Sequence, residues 1–287
     1  MKMTYDYSVP QKWYDGVYKD KKACCSAARS FSLVHEKPAK ECWLIIHGYR
    51  GYPGEFVRPA EDLFNAGYDV FVPRLPGHGT CGDDFTRTRG DDWMGLAKNA
   101  ADDLKTRYSK VHLLGHSMGT AMAAIIGCPD KKIGKIVLVC PSFENKEMTL
   151  KARVILKLVS PFRKRLNCKW HPSSKYHLHY ENAPCDETYL GGEYWRYYFP
   201  RQLGDYYRIM KRGLGAVAMY PHEHLVICPD LDGVISVPSV ALYRAALGKR
   251  ANVVMISDGT HNLFYDKNPQ AEEDAVTAVL DFAKKGR

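Results

Sequence analysis

The chain has 287 residues, of which 45% are hydrophobic and 25% are charged, a composition typical of one large folded domain or two modest ones. No apolar run approaches the ~20 residues that a membrane-spanning helix needs, and the first residues lack the apolar core of a secretory signal. The net charge is +9, but no nucleic-acid motif accompanies it. We therefore expect a cytoplasmic protein that binds no nucleic acid.

Nine cysteines occur at irregular spacing and include no CxxC pair. Cys42, Cys140 and Cys228 lie in apolar, strand-like runs, where a thiol behaves as a small hydrophobic group. This odd number and spacing predict free thiols in a reducing compartment, rather than a disulfide framework or a zinc site.

Two histidine pairs have the alternate spacing of some metal ligands: His177 and His179, and His222 and His224. Neither pair is accompanied by the further ligands that a zinc site needs. We therefore predict no metal and no other cofactor.

Apolar runs with the character of buried strands alternate with amphipathic segments along most of the chain. The predicted strands are 41–49, 68–75, 110–117, 134–142, 222–230 and 251–259. The predicted helices are 54–65, 91–109, 118–127, 237–247 and 270–285. This alternation predicts an α/β fold with a mostly parallel central sheet that is flanked by helices on both faces.

The alternation stops at residue 143 and resumes after residue 215. The intervening segment is rich in Tyr, Trp and basic residues, and its pattern is mostly helical. We predict a core formed by 1–142 and 216–287, and a helical cap formed by the insertion 143–215. The cap is expected above the carboxyl ends of the strands, where open α/β sheets bind ligands.

The stretch "VHLLGHSMGTAMAA" places Ser117 between a buried strand and a helix, with Gly115 and Gly119 two residues away on either side. A strand that turns at once into a helix holds the side chain at the turn away from the backbone, and the flanking residues must be small. This is the pattern of a nucleophile elbow, G-x-S-x-G. We therefore predict that Ser117 is a nucleophile.

A serine nucleophile needs a general base, and the base needs an acid that orients it. After such an elbow the acid comes first along the chain and the histidine second. Among the eleven histidines, His261 is both late in the chain and in a loop directly after a predicted strand. Asp232 is the favoured acid, with Asp230 as the alternative. Asp258 is interpreted as a turn residue.

The negative charge of an acyl-transfer transition state requires two preorganised donors. One is the backbone N–H of Met118, which follows the nucleophile, and the other belongs to the loop after the first predicted strand. His47 and Gly48 allow the chain to turn there, so we assign the second donor to the N–H of Tyr49. His47 is interpreted as a brace for this loop rather than as a catalytic group.

Together, these motifs resemble the α/β-hydrolase superfamily, and within it the branch of monoacylglycerol lipases and carboxylesterases, which includes serine aminopeptidase-like and lysophospholipase-like hydrolases. The matching pieces are "LIIHGYRGYPGEF" (44–56), "LPGHG" (75–79), "GDDWMGLAKNAADDL" (90–104), "LLGHSMG" (113–119), the Asp232 loop and His261.

The resemblance implies an α/β-hydrolase fold with a catalytic triad of Ser117, Asp232 and His261, and an oxyanion hole formed by the amides of Tyr49 and Met118. The sequence departs from this pattern at Thr120, where many relatives have glycine, and in the lead-in "DGT" before His261. The resemblance does not extend to the insertion 143–215, so it does not specify the substrate.

Two features of the insertion concern the substrate. Residues 189–210 are rich in aromatic side chains, of which Trp195 and Tyr198 are predicted substrate contacts, although packing on the core is an equal alternative. Residues 147–162 form a mixed apolar and basic helix that ends at Pro161. This segment is predicted to make transient contact with a lipid surface or to serve as an ordinary lid.

The main functional hypothesis is a carboxylic ester hydrolase that acts on short-to-medium acyl esters, or on monoacylglycerol-like or lysophospholipid-like esters, through an acyl-enzyme. An aminopeptidase or amidase on the same scaffold is an alternative, since four acids occur between residues 181 and 193 that are able to hold an amine. These are Glu181, Asp186, Glu187 and Glu193. A non-catalytic binding protein with the same fold is the third hypothesis.

Overall fold

A sheet of eight strands forms the centre of the molecule. The computed structural model describes residues 3–128, 130–144, 149–169, 188–219, 222–233 and 236–286. The strands are β1 (Tyr5–Asp6), β2 (Phe31–Leu33), β3 (Glu41–Ile46), β4 (Asp69–Val72), β5 (Lys110–His116), β6 (Ile133–Val139), β7 (Leu166–Asn167), β8 (Tyr197–Tyr198), β9 (His224–Pro229) and β10 (Val253–Ile256). The sheet has the order β1-β2-β4-β3-β5-β6-β9-β10, while β7 and β8 pair separately.

The helices follow the predicted pattern closely. They are α1 (Val57–Asn65), α2 (Gly82–Phe85), α3 (Gly90–Arg107), α4 (Met118–Gly127), α5 (Leu150–Val159), α6 (Pro200–Val217), α7 (Ser236–Leu247) and α8 (Pro269–Lys284). Every predicted core helix and strand is present, with ends that differ from the predicted ones by a few residues. A 3-10 turn at Pro53–Phe56 precedes α1, so the predicted helix 54–65 begins as this tighter turn.

Six strands of the sheet pair in parallel, in the order β4-β3-β5-β6-β9-β10, which confirms the predicted mostly parallel sheet. At the other edge β1 and β2 are antiparallel, and the sequence analysis missed both. They contain two and three residues, which is too short for hydrophobic periodicity to reveal.

Two hydrophobic layers cover the two faces of the sheet. One layer contains buried residues of α3, α4, α6 and α7, and the other contains buried residues of α1 and α8. Strands of such a sheet are buried on both faces, and β5 accordingly exposes only its first residue. The fold therefore matches the predicted arrangement of helices on both sides of the sheet.

The insertion lies between two strands that pair directly, because Ile136 of β6 is opposite His224 of β9. Its helix α6 packs tightly on the core: a Cβ on Gly213 would lie 2.5 Å from Ala121 Cβ of α4. The division into a core and a cap of 143–215 stays a prediction. The histidine pair at 177 and 179 lies outside the described residues.

Helix α5 contrasts with α6, because none of its residues is buried. Leu150 is 72% exposed and Leu158 is 67% exposed. No helix among the described residues is both long and apolar enough to cross a bilayer. The cysteines of the described segments are all free.

Candidate active site

The turn between β5 and α4 places Ser117 in a strained backbone conformation. Ser117 has φ 52° and ψ −121°, which is unusual for a residue that carries a side chain. Its N–H donates to Val139 O of the neighbouring strand at 3.0 Å. The strain is maintained by the surrounding structure, as is typical of functional residues at turns. The local geometry is that of a nucleophile elbow.

Close backbone contacts explain the two glycines that flank Ser117. A Cβ on Gly115 would lie 2.2 Å from Gly119 O, and a Cβ on Gly119 would lie 2.0 Å from Ile46 O of β3. These distances are far below any van der Waals contact. The strand, the helix and β3 therefore approach one another more closely than any side chain at 115 or 119 allows.

Thr120, where the sequence departs from the pattern it resembles, strengthens the same turn. Its Oγ1 donates to Ser117 O at 2.6 Å and accepts from the N–H of Ser142 at 2.9 Å. The hydroxyl thus joins the elbow to the segment that follows β6. Sequence reasoning did not identify this contact, because the role depends on residue 142 being adjacent in space.

Asp232 and His261 are brought together at the same edge of the sheet. His261 Nδ1 lies 2.8 Å from Asp232 Oδ2, and the Asp232 side chain is fully buried. Asp230 is exposed, and its N–H donates to Ile256 O of β10 at 3.1 Å. Of the two acids that the sequence left open, Asp232 is therefore the one that contacts the imidazole. Asp258 has φ 55°, as expected of a turn residue.

Two buried side chains hold the backbone of His261 in place. His116 Nε2 lies 2.8 Å from His261 O, and Cys140 Sγ donates to the same oxygen at 3.3 Å. Burial lowers the pKa of His116 to about 3, so its ring is neutral and Nε2 carries the hydrogen that it donates to the carbonyl. Because His116 directly precedes Ser117, the predicted base and the predicted nucleophile are joined through this residue.

His116, Cys140 and His261 are also the group in the described residues whose side-chain atoms are close enough to bind one metal ion, with all atoms within 4.8 Å. The contacts of His116 and Cys140 to His261 O give these side chains a structural use that needs no ion. The histidine pair at 222 and 224, whose spacing the sequence analysis noted, is engaged in a similar way. His222 Nε2 lies 2.9 Å from Gly127 O, and His224 Nδ1 lies 2.8 Å from His222 O.

The loop after β3 passes against the serine. A Cβ on Gly48 would lie 2.9 Å from Ser117 Cβ, so the glycine allows the loop to lie beside the predicted nucleophile. His47 is fully buried, and burial lowers its pKa to about 4. Its Nδ1 contacts Gly48 O at 2.9 Å and its Nε2 accepts from the N–H of Leu75 at 3.0 Å. His47 thus braces the loop, as predicted.

Both predicted oxyanion donors lie next in the chain to the close contact between Gly48 and Ser117. Tyr49 follows Gly48 directly, and Met118 is the first residue of α4, where backbone N–H groups have no partner within the helix. The Tyr49 ring stacks on Tyr206 of α6, with ring centroids 5.2 Å apart and an angle of 9° between the planes. Helix α6 therefore supports the loop that carries Tyr49.

Residues of the insertion form hydrogen bonds with Arg50, which follows Tyr49 in this loop. Arg50 has φ 60°, and its guanidinium donates to Tyr197 O at 2.8 Å and to Tyr194 O at 3.2 Å. Trp195 Nε1 donates back to Arg50 O at 3.2 Å. The predicted substrate contact Trp195 therefore lies beside the Tyr49 loop, whereas Tyr198 is 40% exposed.

A buried acid, Glu55, connects this loop region to the segment after His261. Tyr265 Oη donates to Glu55 Oε1 at 3.2 Å, and a Cβ on Gly51 would lie 2.8 Å from Glu55 Oε2. Burial raises the pKa of Glu55 to about 8, so the side chain is mostly a neutral acid at pH 7. Sequence reasoning gave this residue no role of its own, although it lies in a predicted helix and in the matching piece 44–56.

The mostly parallel sheet, the strand-to-helix turn at Ser117 and the later Asp232 and His261 loops together define an α/β-hydrolase. A sequence profile of the Alpha/beta hydrolase family matches residues 43–275. The chain belongs to this family.

More specific similarity is to lipolytic enzymes. The chain is 40% identical over 76 residues to a thermostable monoacylglycerol lipase from Bacillus sp. (strain H-257), and this stretch spans 26% of the chain and 30% of that relative. The chain thus matches less than a third of that relative's length.

Solved structures extend the likeness to nearly the whole chain. The structure described for LipS and LipT, two metagenome-derived lipolytic enzymes, has a TM-score of 0.72 at 17% identity, covering 89% of this chain and 98% of that one. The monoacylglycerol lipase of Paleococcus ferrophilus has a TM-score of 0.69 at 16% identity, covering 88% and 97%. At these identities the likeness shows a shared fold.

Proposed function

We propose that the protein is a serine hydrolase that cleaves carboxylic esters through an acyl-enzyme. The observation that carries this proposal is the contact between Asp232 and His261, whose backbone is held by the residue that precedes the strained Ser117. A carboxylate on Nδ1 fixes the imidazole tautomer that leaves Nε2 free to accept a proton. Ser117, Asp232 and His261 are accordingly the proposed triad.

In the proposed reaction, His261 Nε2 takes the hydroxyl proton of Ser117 as the oxygen attacks the ester carbonyl. The N–H groups of Tyr49 and Met118 stabilise the oxyanion of the tetrahedral intermediate. The intermediate collapses, and His261 gives its proton to the departing alcohol. Water, deprotonated by His261, then attacks the acyl-enzyme and releases the carboxylic acid with regeneration of Ser117.

For the substrate, we propose short-to-medium acyl esters, or monoacylglycerol-like or lysophospholipid-like esters. The names of the relatives support this class, since both the Bacillus protein and the Paleococcus protein are monoacylglycerol lipases. We keep Trp195 and Tyr198 as proposed substrate contacts, because Trp195 lies beside the loop of the oxyanion hole. A cytoplasmic location is also proposed, in agreement with the free cysteines.

We further propose transient contact with a lipid surface through the outer cap face, defined as Lys151, Ile155, Leu158 and Phe162. These side chains are exposed, and Phe162 is exposed to 85%. Apolar side chains beside lysine suit the boundary between headgroups and acyl chains. Sedimentation with anionic phospholipid vesicles tests the contact: Leu158→Ser with Phe162→Ser should reduce the bound fraction, and equal binding would contradict it.

The central experiment compares the wild type with Ser117→Ala. A fluorophosphonate probe should label only the wild type, and short p-nitrophenyl esters should be turned over with a kcat that falls about 10⁴-fold or more in the variant. A series from acetate to palmitate, including monoacylglycerols, then identifies the preferred ester.

The same experiment separates the alternatives. Faster turnover of aminoacyl amides than of esters would favour the amidase, and neither labelling nor turnover would favour a binding protein. In the described part of the acidic cluster, Glu193 Oε2 accepts from the N–H of Gly82 at 2.7 Å. This carboxylate therefore contacts the core rather than a substrate amine.

A further inference from the structure

A groove of about 580 Å³ lies between α5 and α6, outside the proposed triad. This volume is within the ~300–1,000 Å³ typical of small-molecule sites. Its lining combines apolar side chains, including Leu150 and Val154, with the aromatic ring of Tyr207 and several cations. A surface of this composition presents both an apolar wall and a concentration of positive charge.

The only acid in the described lining is already engaged. Asp205 accepts from Arg89 Nε at 2.6 Å and from the N–H of Gly90 at 3.0 Å, and Arg208 also bonds to its carboxylate. Burial raises the pKa of Asp205, but its partners Arg89, Gly90 and Arg208 outweigh that effect and hold the pKa below its usual range. Its charge is therefore balanced by Arg208 within α6 and by Arg89 and Gly90 at the start of α3.

The remaining cations of the lining are Arg153, Lys157 and Arg201. Arg153 is held in position by the Tyr207 ring, with its guanidinium carbon 4.1 Å from the ring centroid. A cation over an aromatic face keeps its charge available while its direction is restricted. The groove thus offers three positive groups next to Leu150 and Val154.

We propose that this groove binds a single-chain lipid anion, such as a fatty acid, as a monomer. The carboxylate would lie among Arg153, Lys157 and Arg201, and the acyl chain would follow the apolar side chains of α5. A purely polar anion would leave the apolar wall exposed to water, and a neutral lipid would leave the cations without a counter-charge. The site does not contain Ser117 or His261, so binding is independent of the proposed hydrolysis.

Two lysines on the neighbouring helices provide a matched pair for the test. Lys157 of α5 lines the groove, whereas Lys211 of α6 is exposed outside the lining. Both side chains are exposed, so neither charge reversal should unfold the protein. Titration calorimetry with dodecanoate below its aggregation concentration should use Ser117→Ala protein, with dodecyl maltoside as the neutral lipid of equal chain length.

We expect Lys157→Glu to weaken dodecanoate binding at least about tenfold, because a repulsion replaces an attraction. Lys211→Glu should bind within about twofold of its parent, and dodecyl maltoside should bind weakly to all three proteins. Equal binding by the two lysine variants would overturn the proposal, as would equal affinity for the two lipids or binding only to anionic vesicles. Esterase activity of the wild type is measured separately, so failure of the groove and failure of the proposed hydrolase are distinguished.

Discussion

Apolar residues that lead to the carboxyl edge of the sheet are buried, whereas the apolar residues of helix α5 are not. In β5 every residue after the first is buried, whereas α5 contains no buried residue despite its leucine, isoleucine and valine side chains. Burial of an apolar side chain stabilises a fold by about 1.5–3 kcal/mol, so α5 contributes little to the core. Its apolar residues remain available for contacts with other molecules.

This difference determines where strained backbone is maintained. Ser117 and Cys140, at the ends of the adjacent strands β5 and β6, have φ 52° and 51°. Such conformations cost about 1–3 kcal/mol and persist only where surrounding packing enforces them. The sheet edge provides that packing, whereas helix α5, which contains no buried residue, provides none.

The largest expected effect comes from adding one methyl group at the sheet edge, compared with one in the insertion. Gly119→Ala would place a Cβ 2.0 Å from Ile46 O, whereas nothing lies within 4 Å of a Cβ at Gly192 in the insertion. We expect Gly119→Ala to destabilise the protein by at least about 3 kcal/mol and to abolish esterase activity. Gly192→Ala should change stability by less than about 1 kcal/mol. Urea denaturation and ester turnover check both, and equal stability of the two variants would contradict the packing argument.

The second prediction separates the two neighbouring acids. Asp232→Asn should lower kcat for p-nitrophenyl esters about 10³–10⁴-fold, because the amide favours the wrong imidazole tautomer. Asp230→Asn, two residues earlier in the chain and exposed, should keep kcat within about twofold. Similar kcat values for the two variants would refute Asp232 as the orienting acid.

The sheet and the elbow could be predicted because they depend on local pattern. Buried parallel strands give continuous apolar runs, and the G-x-S-x-G spacing follows from one turn. Asp232 and His261 were predicted from their positions after strands, since the carboxyl ends of parallel strands share one edge. The choice between Asp230 and Asp232 needed coordinates, because both follow the same strand.

Other contributions could not be predicted, because they depend on residues that are distant in the chain. From the sequence, Cys140 is interpreted as a small hydrophobic group in a strand. Only the structure shows that its thiol donates to His261 O. Thr120 is in the sequence only a departure from a glycine pattern, whereas the structure joins its hydroxyl to the N–H of Ser142. The bond from Trp195, a proposed substrate contact, to Arg50 O also depends on the fold. In the insertion, the sequence predicted an apolar and basic helix at 147–162, but only the structure shows that none of the residues of α5 is buried.

The third prediction tests how the backbone of His261, the proposed general base, is held in place. Cys140→Ala removes one of the two donors to His261 O, and a hydrogen bond of this kind contributes about 1 kcal/mol. We expect kcat to fall about fivefold while KM changes little. Cys42→Ala, which removes a buried thiol from β3, should cost stability without lowering kcat. Equal kcat values for the two variants would assign Cys140 to packing alone.

The last prediction concerns stability rather than turnover, at Glu55, the buried acid beside the Tyr49 loop. Its pKa is about 8 in the folded protein against 4.5 for the free side chain, so the unfolded chain loses this proton first as the pH rises. Wild-type stability should therefore decline between pH 4.5 and 8 relative to Glu55→Gln, by up to about 1.4 kcal/mol per pH unit. Denaturant titrations of both proteins across this range measure the difference, with pH 4.5 as the internal reference. Parallel stability curves would show that Glu55 is ionised in the folded state, and the link to Tyr265 would then be that of a carboxylate with its phenol donor.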